Sequence, residues 1–278
     1  MTNQHVDPKH IEDIIRQASA TYIIPRFQKL GDGEVDTKSG PQDLVTAADI
    51  ETETALTEIF KKEFPGCKVM GEEAVSRGEM TIDNTFTNEP DMLWVVDPVD
   101  GTWNFAHGSP VFACMVALRC HGETQASWIY NVMSDEFATA VKGEGATYAG
   151  QKLNMHKARK PLGETHGYIT DTFAPEDIQK AWAQKSQNVA TVGSLRSSAQ
   201  AYIRLARGIV DFHITTREKP WDHLAGDLLI REAGGTVKTW DREPYHPLQH
   251  EEGILSTFSE EQWGDLHANF IEDVLELR

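Results

Sequence analysis

The apolar run Met92 to Val96 empties without a linker into Asp97-Pro98-Val99-Asp100-Gly101-Thr102. A short apolar run of this kind reads as a buried strand, and a buried strand places a sheet in the core. The acids that follow are then fixed to a rigid element. The chain of 278 residues is long enough for one large domain or two moderate ones.

The surrounding pattern divides near residue 150, giving residues 1–150 and 151–278 as two expected domains. Before the division, Asp7-Pro8 reads as an N-cap and first helical position. Ile11, Ile14, Ile15, Ala18 and Tyr22 continue at helical spacing up to Pro25. A second helix is expected near Asp49, with Leu56, Ile59, Phe60 and Phe64 on its apolar face. Val69 to Gly71 reads as a short strand running into Glu72-Glu73, and Ser76 to Asp91 as a loop. Phe112 to Leu118, Ser127 to Val132 and Phe137 to Val141 suggest an antiparallel meander. Gly143-Glu144-Gly145 makes a turn; no Gly-Lys-Ser/Thr follows it, so it is not a phosphate loop.

Beyond residue 150, strands alternate with helices. Ala199, Tyr202, Ile203 and Ala206 mark a helix with Gly208 past its end, and Ile209 to Ile214 reads as a strand. Trp221, Leu224, Ala225, Leu228 and Leu229 mark another helix, closed by Gly234-Gly235. Ser259 and Gln262 suggest a capping box for a last helix that buries Trp263, Leu266, Phe270 and Val274. The first half therefore reads as α+β and the second as α/β.

Two readings of Asp97 to Thr102 are open. Asp, Pro and Gly are turn residues for local backbone reasons. Two carboxylates three residues apart in a tight turn also converge on one point, where they repel unless a cation lies between them. Oxygen ligands alone select Mg²⁺ or Mn²⁺ rather than Zn²⁺. Glu72-Glu73 taken alone is a solvated acidic pair. Asp222 taken alone is an acid in a first helical turn. His223 beside it points elsewhere on the helix and reads as a bystander.

Composition excludes several classes. With 43 acids against 26 bases the formal charge is −17, which argues against a general nucleic-acid surface. The longest apolar run, Val111 to Leu118, is too short to span a bilayer. The start Met-Thr-Asn-Gln-His-Val-Asp shows no signal peptide. Cys67, Cys114 and Cys120 fit neither a zinc site nor a disulfide framework. A cytoplasmic protein, bound neither to membrane nor to nucleic acid, is the expectation.

Taken together, the acidic segments resemble one family. Gly71-Glu72-Glu73, Trp94 to Phe105 through Asp97-Pro98-Val99-Asp100-Gly101-Thr102, and Trp221-Asp222-His223-Leu224-Ala225-Gly226 are similar to three signatures of the inositol monophosphatase family. Asp43 to Asp49 resembles a fourth segment, and the likeness covers essentially the whole chain. It implies a layered αβαβα sandwich, a homodimer, and a phosphatase that uses two or three Mg²⁺ ions, with Mn²⁺ as a substitute, and is inhibited by Li⁺. By motif position it implies that Glu72, Asp97 and the Val99 carbonyl hold one metal. Asp97, Asp100 and Asp222 would hold a second, and Glu72 would share a weaker third. Thr102 and Asp49 would position the attacking water, with Glu72 counted among the catalytic groups. Asp100, Gly101, Thr102, Arg196, Ser197, Ser198 and Asp222 would contact the substrate.

The chemistry suits those roles, because a metal pair neutralises an anionic ester and activates water. Backbone N–H groups at Gly101 and Thr102 suit an anion. The implied substrate is a small phosphate monoester, with inositol 1-phosphate first. Histidinol phosphate, fructose 1,6-bisphosphate and 3′(2′)-nucleotide bisphosphates are the alternatives. A metal-independent glycoside hydrolase would leave half of the acids without roles. A non-catalytic metal-binding or regulatory protein would have lost a ligand acid or Thr102, and all are present.

Three positions depart from the family pattern. Arg196, in Leu195-Arg196-Ser197-Ser198-Ala199, stands at a family glycine; Gly193 lies three residues too early. Thr215 stands where some members have a hydroxyl-reading acid, with Glu218 nearby as a substitute. Trp103 stands at a common threonine.

Overall fold

The computed structural model describes residues 6–31, 33–248 and 253–277. Helix α1 (Pro8–Tyr22) starts as its sequence dictates, with Asp7 accepting from the Lys9 amide at 2.9 Å. The hairpin β1 (Val35–Gly40) and β2 (Asp43–Thr46) leads into α2 (Ala47–Glu63). A seven-stranded sheet then runs in chain order. Its strands are β3 (Lys68–Gly71), β4 (Met92–Asp100), β5 (Ala113–Cys120), β6 (Glu123–Asn131), β7 (Glu136–Val141), β8 (Gly145–Tyr148) and β9 (Gln151–Lys152). Only β3 and β4 pair in parallel; the rest form the antiparallel meander. The short helices α3 (Glu72–Ser76), α4 (Ile82–Thr87) and α5 (Thr102–Ala106) follow β3 and β4.

The remaining strands are β10 (His166–Thr170), β11 (Thr191–Gly193), β12 (Phe212–Thr215), β13 (Thr236–Thr239) and β14 (Ile254–Thr257). They form a second, mixed sheet in the order β11-β10-β12-β14-β13. Helices α6 (Glu176–Lys185), α7 (Ser198–Ala206), α8 (Pro220–Glu232) and α9 (Glu260–Phe270) complete the chain.

Alternation along the strands sorts the core into three apolar layers. Trp94 and Val96 of β4 face α1 and α2, among Ile11, Ile15, Leu56 and Phe60. Leu93 and Val95 face the opposite way, toward Tyr202, Ile203, Leu228 and Leu229 of α7 and α8. Phe212, Ile214 and Leu255 of the second sheet then pack on Trp182, Trp263 and Phe270 of α6 and α9. The order is helices, sheet, helices, sheet, helices: the αβαβα sandwich. Among the described residues, no helix is long and apolar enough to cross a membrane.

Several expectations needed correction. The segment read as a loop from Ser76 to Asp91 contains α4, capped by Thr81 and anchored by the buried Phe86; so short a helix shows no periodicity. The second helix does start near Asp49: it runs from Ala47, with Thr46 as its N-cap and Asp49 as its third residue. The run Ile209 to Ile214 becomes a strand only at Phe212. The Ile209 amide still bonds the Arg204 carbonyl at 2.9 Å, wrapping the end of α7, and Ile209 is 55 % exposed. Ser259 caps α9, but the Gln262 side chain bonds the Lys160 amide instead of closing the box. Strand β4 runs through the acids to Asp100, with a register irregularity between Asp97 and Asp100.

Candidate metal and phosphate site

The acids gather where strands end and helices begin. Glu72 leaves β3 in the first turn of α3. Gly71 before it is required by packing, since a Cβ there would lie 2.1 Å from the Glu53 carboxyl. Glu53 uses that approach to accept from the Glu73 and Ala74 amides at 2.7 and 2.8 Å, which satisfies the orphan donors of α3. Asp97 sits on β4 and accepts from the Val99 amide at 3.0 Å. Gly101 turns the chain with φ +92°, and α5 begins at Thr102. Asp222 enters from the far side, in the first turn of α8.

One carboxylate oxygen from each of Glu72, Asp97 and Asp222 lies within 4.8 Å of the others. Burial and the neighbouring Glu72 charge push Asp97 and Asp222 well above the usual carboxylate range, and the two share a hydrogen bond. Such a cluster needs protons or a cation, and an all-oxygen donor set fits a hard divalent ion.

Asp100 lines the same cleft but is held differently. Its oxygens accept from the Ser198 and Ala199 amides at 3.1 and 2.9 Å and from the Ser197 hydroxyl. The N-terminus of α7 thus grips a carboxylate. Burial pushes Asp100 up to about 6 while those hydrogen bonds oppose it. Ser197 is also the N-cap of α7.

Asp49 lies beneath the cleft, fully buried. Thr46 closes a capping box with it through backbone and hydroxyl. The Thr102 hydroxyl stands 3.0 Å from Asp49 and 2.9 Å from the Val99 carbonyl. It has one proton for these two acceptors. Burial raises Asp49 to about 6.

Several residues at the site went unread in the sequence. Lys38, on β1, donates to Glu72 at 2.7 Å and Glu73 at 2.6 Å. Burial disfavours its charge, but Glu72 and Glu73 together outweigh that and raise its pKa. Glu73 therefore faces Lys38 and is 2 % exposed. Nothing in the periodicity of residues 29 to 43 signals this contact, which requires the hairpin to fold across the sheet end.

The departing positions meet one another. The Arg196 guanidinium lies 4.2 Å over the Trp103 ring and bonds Gln42. Trp103 in turn stacks on His107 with centroids 3.9 Å apart. Arg196 has φ +52°, the left-handed backbone that favours glycine. Gly193 belongs to β11. Thr215 lines the adjoining cavity, whereas Glu218 is fully buried and stays out of its lining; it does not replace the missing acid. The His223 ring is occupied by the Tyr202 hydroxyl and the Arg217 carbonyl.

Residues 9–277 match the inositol monophosphatase family. The chain is 31 % identical over 267 residues to an inositol-1-monophosphatase of Bacillus subtilis (strain 168), covering 95 % of this chain and 94 % of that one. It is 31 % identical over 206 residues to a fructose-1,6-bisphosphatase/inositol-1-monophosphatase of Thermotoga maritima, covering 73 % and 74 %. The solved structure of a Thermotoga maritima IMPase superposes with a TM-score of 0.82 at 24 % identity, covering 97 % and 98 %.

Proposed function

The chain belongs to the inositol monophosphatase family and is a metal-dependent phosphomonoesterase of it; from that premise we propose that it hydrolyses inositol 1-phosphate with magnesium. The observation that carries this reading is the convergence of Glu72, Asp97 and Asp222 from three separate elements. In this reading Glu72, Asp97, Asp100, Asp222 and the Val99 carbonyl hold Mg²⁺. When bound, magnesium neutralises the phosphate and lowers the pKa of the attacking water.

The protein's own groups do the rest. Thr102 orients the water, and the Asp49 carboxylate behind it takes up the proton through that hydroxyl. The Gly101 and Thr102 amides meet phosphate oxygens at the start of α5. Ser197 and Ser198 hold Asp100 in place, and Arg196 borders the leaving alcohol. The competing glycosidase mechanism needs no cation. A homodimer, lithium inhibition and a cytoplasmic location belong to the same reading. They are supported by family membership and, for the last, by three free thiols.

The test is phosphate release from inositol 1-phosphate before chelation, after it, and on return of Mg²⁺. Release should vanish and recover. Undiminished turnover in the chelated protein would overturn the metal mechanism.

A further inference from the structure

Beside the acids opens a cavity of about 580 Å³, large enough for a small organic ligand. Glu72, Asp222 and Ser198 line both this cavity and the narrower cleft around Asp97 and Asp100. The leaving alcohol of a bound ester therefore has room here. The cavity wall contributed by the segment Thr215 to Lys219 is basic: Arg217 and Lys219 both line it. Among the described residues, neither forms an ion pair with a carboxylate, in a chain with 43 acids.

The segment is built rather than loose. His223 from α8 bonds the Arg217 carbonyl, and Tyr202 from α7 bonds the other nitrogen of that ring at 3.0 Å. The Thr215 hydroxyl lies 3.3 Å from the same carbonyl and 3.4 Å from the Arg217 amide. Glu218 is buried, with its carbonyl 3.4 Å from the Tyr245 hydroxyl. Pro220 then starts α8. The guanidinium itself rests 3.7 Å from the centroid of the Phe173 ring, which also lines the cavity. An arginine stacked on a ring and fixed at its backbone loses little further freedom on binding an anion.

We propose that Arg217 and Lys219 form a second-anion subsite, so that the preferred substrate is a phosphate monoester whose alcohol carries another phosphate or a carboxylate. This rests on the metal-dependent phosphatase reading and revises its substrate, ranking inositol 1-phosphate below esters that carry a second anion. Inositol 1-phosphate would present neutral hydroxyls to two cations, with Thr215 in place of an acid to read them. A second anion gives each cation a charge-assisted partner, and the guanidinium fork suits either oxyanion.

Two matched pairs of esters test it with Mg²⁺ present. Fructose 1,6-bisphosphate is compared with fructose 1-phosphate, and 2-phosphoglycerate with glycerol 2-phosphate. The wild type should favour the doubly anionic member in kcat/KM, and the pair with the larger ratio assigns phosphate or carboxylate. Arg217→Gln should reduce that ratio about tenfold, the worth of one charge-assisted contact, with Lys219→Gln acting in the same direction. Arg217→Lys, which keeps the charge, should retain more of the ratio than Gln. No preference in either pair, or variants that slow both members equally, would overturn the subsite. Absence of release from every ester would overturn the phosphatase reading instead. In that case the Kd ratio of each pair by calorimetry decides the subsite alone.

Discussion

On one wall of the cleft, Glu72, Asp97 and Asp222 crowd within 4.8 Å; in the adjoining cavity, Arg217 and Lys219 stand without carboxylate partners among the described residues. The acidic wall is set by strand ends, helix first turns and backbone hydrogen bonds. Its geometry leaves little freedom, and its sequence resembles the family throughout. The basic wall comes from the segment between β12 and α8, where side chains can change without moving a strand. A hard metal and a phosphoryl group ask for the same ligands in every substrate, whereas the alcohol does not. The difference teaches where a shared reaction is held fixed and where specificity is free to change.

The largest effect that could break this division is loss of the acidic wall. Asp97→Asn should reduce kcat/KM by about 10³-fold or more, the scale on which a group essential to charge stabilisation acts. Glu73→Gln should cost far less, because Glu73 faces Lys38. Equal losses in the two folded variants would remove the distinction between ligand and neighbour. Thr102→Ala should lower kcat about 10²-fold, the lower range for general acid–base assistance. Magnesium affinity should stay close to wild type, because the hydroxyl already engages Asp49 and Val99. A magnesium titration of both proteins separates these outcomes; a weakened metal site with normal kcat at saturation would place Thr102 on the metal instead.

How far each wall could be read from sequence follows from the same contrast. Glu72, Asp97 and Asp222 sit next to strong local signals: an apolar strand, a glycine with positive φ or close packing, and a helix start. Their convergence came only through the family resemblance, since three acids about 25 and 125 residues apart carry no local signal of contact. Lys38 and Gln42 reach the site because a hairpin folds over it, and Arg217 because His223 holds its carbonyl. Those are tertiary facts that no periodicity encodes. Helix α4 was missed for the opposite reason, being too short to show a period. The glycine count that placed Arg196 in a special position was legible, and its φ of +52° supplies the physical reason.

Buried groups behind the two walls should also titrate with opposite sign. Burial lowers His213 to about 3 and His223 to about 4. A folded-state pKa below the free value of about 6.5 favours the neutral ring. The stability it contributes is present above about pH 6.5 and is lost as pH falls through the folded values. Asp49, raised to about 6, runs the other way. Its contribution is present below about pH 4 and is lost as pH rises through about 6. In metal-free protein, His213→Gln should therefore gain on wild type as pH falls from 7 to 5. Asp49→Asn should gain as pH rises over the same interval. Each change should be about 1–2 kcal/mol, read from urea midpoints at several pH values. Parallel trends in the two variants would remove the contrast.

The smallest expected effect concerns the residue that sits between the walls. Arg196 shares the acidic cleft with Asp97 and Asp100, yet it stacks on Trp103 and bonds Gln42 rather than an acid. Arg196→Gly relieves a left-handed backbone worth about 1–2 kcal/mol and loses a cation–π contact worth about 0.5–1 kcal/mol. Stability should change by no more than about 1 kcal/mol, with the sign toward a gain. If Arg196 also reads the alcohol, the kcat/KM ratio of fructose 1,6-bisphosphate to inositol 1-phosphate should fall in the variant. The fall should be only about two- to fivefold, because a half-exposed guanidinium already engaged elsewhere gains little from an anion. A drop as large as that from Arg217→Gln would move the second-anion site to the Trp103 side of the cleft. An unchanged ratio with raised stability would leave Arg196 as a support for Trp103 alone, and the division between a fixed acidic wall and a variable basic one would stand without it.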